Sequence, residues 1–210
     1  MYQLYYADGS ASMGVRVLLE EIGAPYTLLD SSIELGGPRP VEQLKVNPNG
    51  WIPVLLWDQD GTSTGAMYEA AAITIFLCDR HPETRLAPAS DHPDRALYLQ
   101  TLVYCSSAVQ TAFQQFYYPD RFADSADDIA GVRRRGLRRL AETWRVLDEQ
   151  IGQYTWVLGD DFSAADIYLY MISTWFSPEM GGLSLEDFPN AARLARAAAE
   201  RPSIRHVYGT

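Results

Sequence analysis

Hydrophobic positions recur with two different periods in the first part of the chain. Short apolar runs at Gln3–Ala7, Tyr26–Leu29 and Val54–Trp57 are bounded by turn residues and read as strands. Between the first two, Met13, Val15, Val17, Leu18 and Ile22 recur at helical spacing, which predicts a helix over Met13–Ile22 that stops at Gly23. After a Gly36-Gly37-Pro38 loop, a short helical turn is expected near Val41–Leu44. Asp60-Gly61 signals a hairpin into one more short strand, and Glu69–Cys78 closes the region as a helix. This β-α-β-α-β-β-α order requires a mixed sheet with a helical layer. Parallel strands need crossovers, whereas the Asp-Gly hairpin adds an antiparallel edge.

After Cys78 the strand pattern disappears. Pro82, Pro88 and Pro93 interrupt 81–94, which is expected to link a domain at 1–80 to an all-helical domain at 95–210. Helical periodicity spans Ala96–Phe116 and Ile129–Ile151, long enough for an antiparallel pair. It returns in Ser163–Phe176 and in Ala191–Glu200, ahead of Pro202. Two helix starts place a carboxylate three residues after a serine: Ser125 with Asp128, and Ser163 with Asp166. Both are expected to be capping boxes with Asp in place of Glu, and an Asp in the first turn also suits the helix dipole.

Composition then narrows the chemistry. A chain of 210 residues that is 47% hydrophobic can bury a sizeable core. No apolar run approaches the roughly eighteen residues of a membrane helix, and the start lacks a basic region and apolar signal core, so a cytoplasmic protein is expected. The net charge of −10, from 17 basic and 27 acidic residues, argues against nucleic acid or an anionic membrane as partner. Arginines do crowd between Arg133 and Arg139. The apolar stripe of that helix is Leu137, Leu140, Trp144, Leu147 and Ile151, so the arginines read as a solvated face, with Arg138–Glu142 and Arg145–Glu149 spaced to pair. Cys78 and Cys105 are too few for a disulfide framework, and His81, His92 and His206 have no ligand spacing, so no metal site is expected.

The most specific stretch is Asn47-Pro48-Asn49-Gly50-Trp51-Ile52-Pro53-Val54-Leu55. Proline fixes its own φ and has no amide hydrogen, so Pro53 belongs at the start of a strand or at a bulge. Two readings stand side by side. In one, the Ile52–Pro53 bond is cis and Ile52 turns outward, its N–H and C=O free to pair with a peptide-like ligand as an added strand would. In the other, Asn49-Gly50 makes a tight turn and Pro53 simply opens the next strand.

With Glu69-Ala-Ala-Ala-Ile73 before a helix and Gly159-Asp-Asp-Phe-Ser-Ala-Ala-Asp-Ile167 in the helical half, the chain resembles the cytosolic glutathione S-transferase superfamily over nearly its whole length. Leu4–Arg16 is most similar to the bacterial members. The resemblance implies a thioredoxin-like first domain, an all-helical second domain, glutathione as co-substrate and a homodimer. It implies that Ile52, next to Trp51 and ahead of a cis-Pro53, pairs through its backbone with the cysteinyl part of glutathione. Glu69 and the first-turn amides of Ala70 and Ala71 would hold the γ-glutamyl group. Where the family usually has Ser or Thr after the acidic residue this chain has Ala70, so one hydrogen bond to the ligand carboxylate is missing.

Bacterial relatives often carry a cysteine just after the first strand, where this chain has Ala11. Ser10 and Ser12 flank that position near the start of the first helix, and Tyr5 stands where other classes keep a catalytic tyrosine. These three hydroxyls are the candidates to activate the thiol; each serine reads equally as a cap, and Tyr5 as a core aromatic. The second substrate, an apolar electrophile, is expected between the domains, where Tyr104, Phe113, Phe116, Tyr117, Tyr118 and Trp175-Phe176 offer aromatic area that equally reads as core. The implied activity is addition of glutathione to the electrophile. Glutathione-dependent reduction of a peroxide or disulfide, and a non-catalytic ligand-binding protein of the same fold, are the alternatives.

Overall fold

The computed structural model describes residues 1–34, 37–58, 61 and 64–209; Gly36 of the expected loop and Asp60 of the expected hairpin lie outside them. The first elements follow the expected order: β1 (Tyr2–Tyr6), α1 (Ser12–Ile22), β2 (Tyr26–Asp30), α2 (Val41–Val46), β3 (Val54–Asp58), β4 (Thr64–Tyr68) and α3 (Ala70–Arg80). The sheet runs β2-β1-β3-β4. β1 is parallel to β2 with Leu4 opposite Leu28, and β3 is antiparallel to both neighbours, with Val54 opposite Tyr5 on one side and Tyr68 on the other. Helix α1 ends where Gly23 takes φ +69°, letting its amide reach the Glu20 carbonyl at 3.1 Å. Val15, Leu18 and Leu19 of α1, Ile73 and Leu77 of α3, and Leu4, Val54 and Leu55 of the sheet are buried together as the core of this thioredoxin-like unit.

The helical half contains α4 (Arg95–Tyr104), α5 (Gln110–Tyr117), α6 (Ile129–Ile151), α7 (Ala164–Ser173) and α8 (Pro189–Ala199). The single helix expected over Ala96–Phe116 is instead interrupted by a π-helical turn, Cys105–Val109, between α4 and α5. Helices α5 and α6 approach closely at Gly136, where a Cβ would lie 2.9 Å from the Gln115 side chain and from the Phe116 amide. Trp144 of α6 is fully buried among Phe113, Phe176 and Phe188, with ring centroids 4.8 to 6.4 Å away. Burial raises the Cys105 thiol far above its ordinary range, so it is an inert core residue.

The Ser163–Asp166 capping box is formed. Asp166 is fully buried and accepts from the Val157 and Ser163 amides at 2.8 Å and from the Ser163 hydroxyl at 2.9 Å. Burial pushes its carboxyl up to about 6 despite these donors. The Ser125–Asp128 box is not formed in that sense. The two side chains bond each other at 2.6 Å, no side chain caps the turn, and a short 3₁₀ turn over Ala126–Asp128 precedes α6. Glu142 takes Arg135 at 3.1 Å and Arg139 at 3.6 Å as its partners, where helical spacing suggested Arg138.

The chain divides into two compact units. One is Met1–Ala89 with the segment from Ala199 onward, and the other is Ser90–Ala198. The first break falls inside the expected 81–94 linker. The second departs from the 95–210 expectation, because the chain after α8 forms α9 (Pro202–Tyr208) and packs on α1. Arg201 donates to both Glu21 carboxylate oxygens at 2.7 and 2.8 Å, and the Ser203 hydroxyl adds a bond at 2.5 Å. Pro202, which reads in sequence as a stop, occupies the first position of α9, where its missing amide costs nothing.

Candidate functional site

The strand register gathers three chain segments at one end of the sheet in the first unit. Val54 is flanked by Tyr5 and Tyr68, so the residues just before Val54 adjoin those just after Tyr68. Ile52 and Pro53 thereby come beside Glu69, with the end of β1 on the other side.

The 47–53 segment is built from behind. The Gly50 amide donates to the Asn47 carbonyl at 2.8 Å, closing a turn that leaves Gly50 at φ +72°, a conformation that favours glycine. Its carbonyl accepts from Arg39 Nε at 2.6 Å and Gln43 Nε2 at 3.0 Å, and the Trp51 carbonyl accepts from Asn47 Nδ2 at 3.1 Å. The Ile52–Pro53 bond is cis. Pro53 is buried, Trp51 is 51% exposed, and among the described residues neither backbone polar group of Ile52 has a hydrogen-bond partner.

Glu69 sits at the N-cap of α3 with φ 75° and ψ 108°, a strained backbone for a residue with a side chain. Such a conformation persists only where its surroundings enforce it. Here it turns the chain from β4 into α3 while keeping the carboxylate exposed and, among the described residues, unpaired. Ala70 and Ala71 are buried, and their amides are first-turn groups with no partner inside the helix. A carboxylate, two first-turn amides and an unpaired backbone donor and acceptor thus adjoin one another. That set suits a ligand with a zwitterionic amino-acid end and a peptide group beyond it.

The three candidate hydroxyls differ in how far they are committed. Ser12 is fully buried; its oxygen accepts from the Ala7 amide at 3.2 Å and lies 2.6 Å from Ser10 Oγ. The Ser10 hydroxyl donates to the Ala7 carbonyl at 2.7 Å and accepts from the Ser12 amide at 3.1 Å. Both serines tie the turn between β1 and α1 to the end of the strand. Tyr5 is only 5% exposed, and among the described residues its hydroxyl has no hydrogen-bond partner. Tyr6 is occupied elsewhere: it donates to Asp8 at 2.5 Å beside Arg16, and burial with Asp8 holds its phenol above the usual range.

Of the aromatic residues expected to line a second-substrate surface, Phe113 and Phe116 are core residues of the helical unit. Trp175 and Phe176 pack edge-on against Phe113, and the Tyr117 hydroxyl donates to the Trp175 carbonyl at 2.5 Å. Tyr104, Tyr117 and Tyr118 are half-buried. Gln43, Asn47 and Arg39 had no functional signal in the sequence beyond Asn47 opening a turn, yet they shape the Gly50–Ile52 backbone.

Residues 10–80 match the family model "Glutathione S-transferase, N-terminal domain", and residues 130–197 match "Glutathione S-transferase, C-terminal domain". The glutathione S-transferase GstA of Escherichia coli O157:H7 is 27% identical over 206 residues, covering 97% of this chain and 95% of its own. A glutathione transferase homologue from Sulfitobacter, solved with bound glutathione, aligns with a TM-score of 0.88 at 22% identity, covering 100% of this chain and 97% of its own. A family member from Pseudomonas fluorescens, solved with two glutathiones bound, gives 0.80 at 26% identity over 98% and 91% of the two chains.

Proposed function

This chain belongs to the glutathione S-transferase superfamily, and on that footing we propose that it binds glutathione as the thiolate and adds it to an apolar electrophile. The observation that carries this reading is the pairing of a partner-free Ile52 backbone with Glu69, held at φ 75° with its carboxylate exposed. Ile52 pairs with the cysteinyl part of glutathione, next to Trp51 and Pro53. The Glu69 carboxylate meets the γ-glutamyl ammonium, and the Ala70 and Ala71 amides take its carboxylate. Tyr5, whose hydroxyl is uncommitted, donates to the thiolate sulfur and lowers the thiol pKa from about 8.5. The thiolate then forms the new C–S bond as a polarised π bond of the electrophile opens and the resulting anion takes a proton from water, and the protein contributes orientation and charge stabilisation. Ser10 and Ser12 hold the turn that supports this arrangement.

Calorimetric titration with reduced glutathione tests the site. The wild type should bind, and Glu69→Gln should weaken binding about tenfold or more through loss of the ammonium partner. No binding by the wild type at millimolar glutathione would place the non-catalytic reading ahead.

One observation favours a second reading. The Pseudomonas fluorescens relative holds two glutathiones, as a reduction would require in which two glutathiones become the disulfide while a substrate disulfide or peroxide is reduced. Turnover of a disulfide or hydroperoxide without any reaction of an aryl halide would select it. A homodimer and a cytoplasmic setting belong to the same family-based proposal. Among the described residues no helix is long and apolar enough to cross a membrane.

A further inference from the structure

The hydrogen bonds behind the 47–53 turn fix more than its shape. Gln43, on α2, is 0% exposed; its nitrogen is directed at this turn and its oxygen at Ser31, just after β2. Its Nε2 donates to the Gly50 carbonyl at 3.0 Å and points also at the Trp51 carbonyl at 3.5 Å, while its Oε1 accepts from the Ser31 hydroxyl at 2.6 Å. Asn47, buried at the end of α2, donates from Nδ2 to the Trp51 carbonyl at 3.1 Å and accepts the Asn49 amide on Oδ1 at 3.3 Å. Two buried amides therefore converge on one carbonyl oxygen.

The Trp51 carbonyl and the Ile52 N–H belong to the same peptide unit. The unit is planar and trans, so the two groups point in opposite directions. Drawing the carbonyl inward onto Asn47 and Gln43 aims the Ile52 N–H away from them, which accounts for a donor with no partner among the described residues.

We propose that Gln43 and Asn47 are positioning residues for glutathione, setting the Trp51–Ile52 peptide plane so that the Ile52 N–H is aimed at the ligand's cysteinyl carbonyl before binding. This role rests on the transferase reading. It makes the site's main backbone donor preorganised, so no rotation of the peptide unit has to accompany binding. It also explains two buried carboxamides in a short helix whose outer face is otherwise solvated.

Asn47→Asp is the direct probe, because it keeps the acceptor for the Asn49 amide and replaces the donor facing the Trp51 carbonyl by an oxygen. Gln43→Glu does the same one turn earlier while keeping the acceptor for Ser31. Val41→Ala, a largely exposed change at the start of the same helix, controls for general loosening of α2. The N–H residual dipolar coupling of Ile52 in the unliganded protein reads the peptide orientation, and glutathione titration of the same samples reads its consequence. The proposal expects the Ile52 coupling to change in Asn47→Asp and Gln43→Glu while couplings in α1 and β3 stay put, with glutathione affinity about tenfold weaker. Val41→Ala should alter neither. Unchanged coupling and affinity in both probes, in folded protein, overturns the proposal. A changed coupling in variants of a wild type that binds no glutathione supports the orienting role of the two amides and refutes the transferase reading instead.

Discussion

Tyr5, Ser10 and Ser12 are equally suited in chemistry and separated by their hydrogen bonds. The serine hydroxyls close the β1–α1 turn among themselves and Ala7, whereas the Tyr5 hydroxyl is left over. Tyr5→Phe should therefore lower kcat about a hundredfold with little change in stability, the scale of losing one donor to a developing or resting anion. Ser12→Ala should do the reverse, leaving buried partners unsatisfied at a cost of about 1–3 kcal/mol while sparing turnover in the folded fraction. Glu69 adds a separate test of strain. Glycine accepts φ 75° without a side-chain clash but loses more backbone entropy on folding, and the two effects oppose, so Glu69→Gly should leave unfolding stability within about 1 kcal/mol in denaturant titrations while abolishing glutathione binding. A fall well beyond the glycine entropy cost of about 1 kcal/mol would show that the conformation is not strained. The sequence could propose all of these residues, because each sits in a motif at a fixed offset. It could not rank them, since the ranking depends on which oxygen already has a partner, and Gln43 was invisible because its partners are backbone carbonyls seven and eight residues away.

At the scale of elements, Ile129–Ile151 coincided with its expected bounds because its apolar stripe is regular and uninterrupted. The π-helical turn at Cys105–Val109 had no such signature: one extra residue per turn shifts the buried face without breaking its apolar character. Capping boxes behaved unequally for a local reason. Ser163 and Asp166 are buried and must satisfy backbone amides, whereas Ser125 and Asp128 are exposed and satisfy each other. Since Asp166 also holds the Val157 amide, Asp166→Ala should cost about 3 kcal/mol, measured by denaturant unfolding, with glutathione affinity of the folded fraction unchanged. The α1–α9 contact gives a pH test. Burial raises the Glu21 carboxyl, but the Arg201 guanidinium and Ser203 hydroxyl outweigh it and bring it below the ordinary Glu value. A folded-state value below the unfolded one, about 4.3, contributes stability above that pH and loses it as the pH falls through the folded value. Arg201→Gln should thus cost about 2 kcal/mol at neutral pH, and its stability curve should converge on that of the wild type in acid. Curves that stay parallel down to the lowest pH would contradict this role for Glu21.

For the molecule as a whole, the order of elements and three weak motifs at consistent spacing were enough to indicate a thioredoxin-like unit followed by helices, and the family models match both halves. The return of the C-terminal segment to the first unit was not legible, because it rests on Glu21 meeting Arg201 across nearly the full length of the chain. Net charge of −10 sets a broad constraint on partners, but the proposed chemistry rests on a few uncommitted groups at one end of one sheet. The most direct measurement is therefore the ultraviolet absorbance of thiolate as a function of pH, with glutathione bound to the wild type and to Tyr5→Phe. The account predicts a bound thiol pKa well below the roughly 8.5 of a free thiol in the wild type, returning toward that value in Tyr5→Phe. A bound thiol that titrates like free glutathione in the wild type, or a lowered value that survives loss of the Tyr5 hydroxyl, would contradict it.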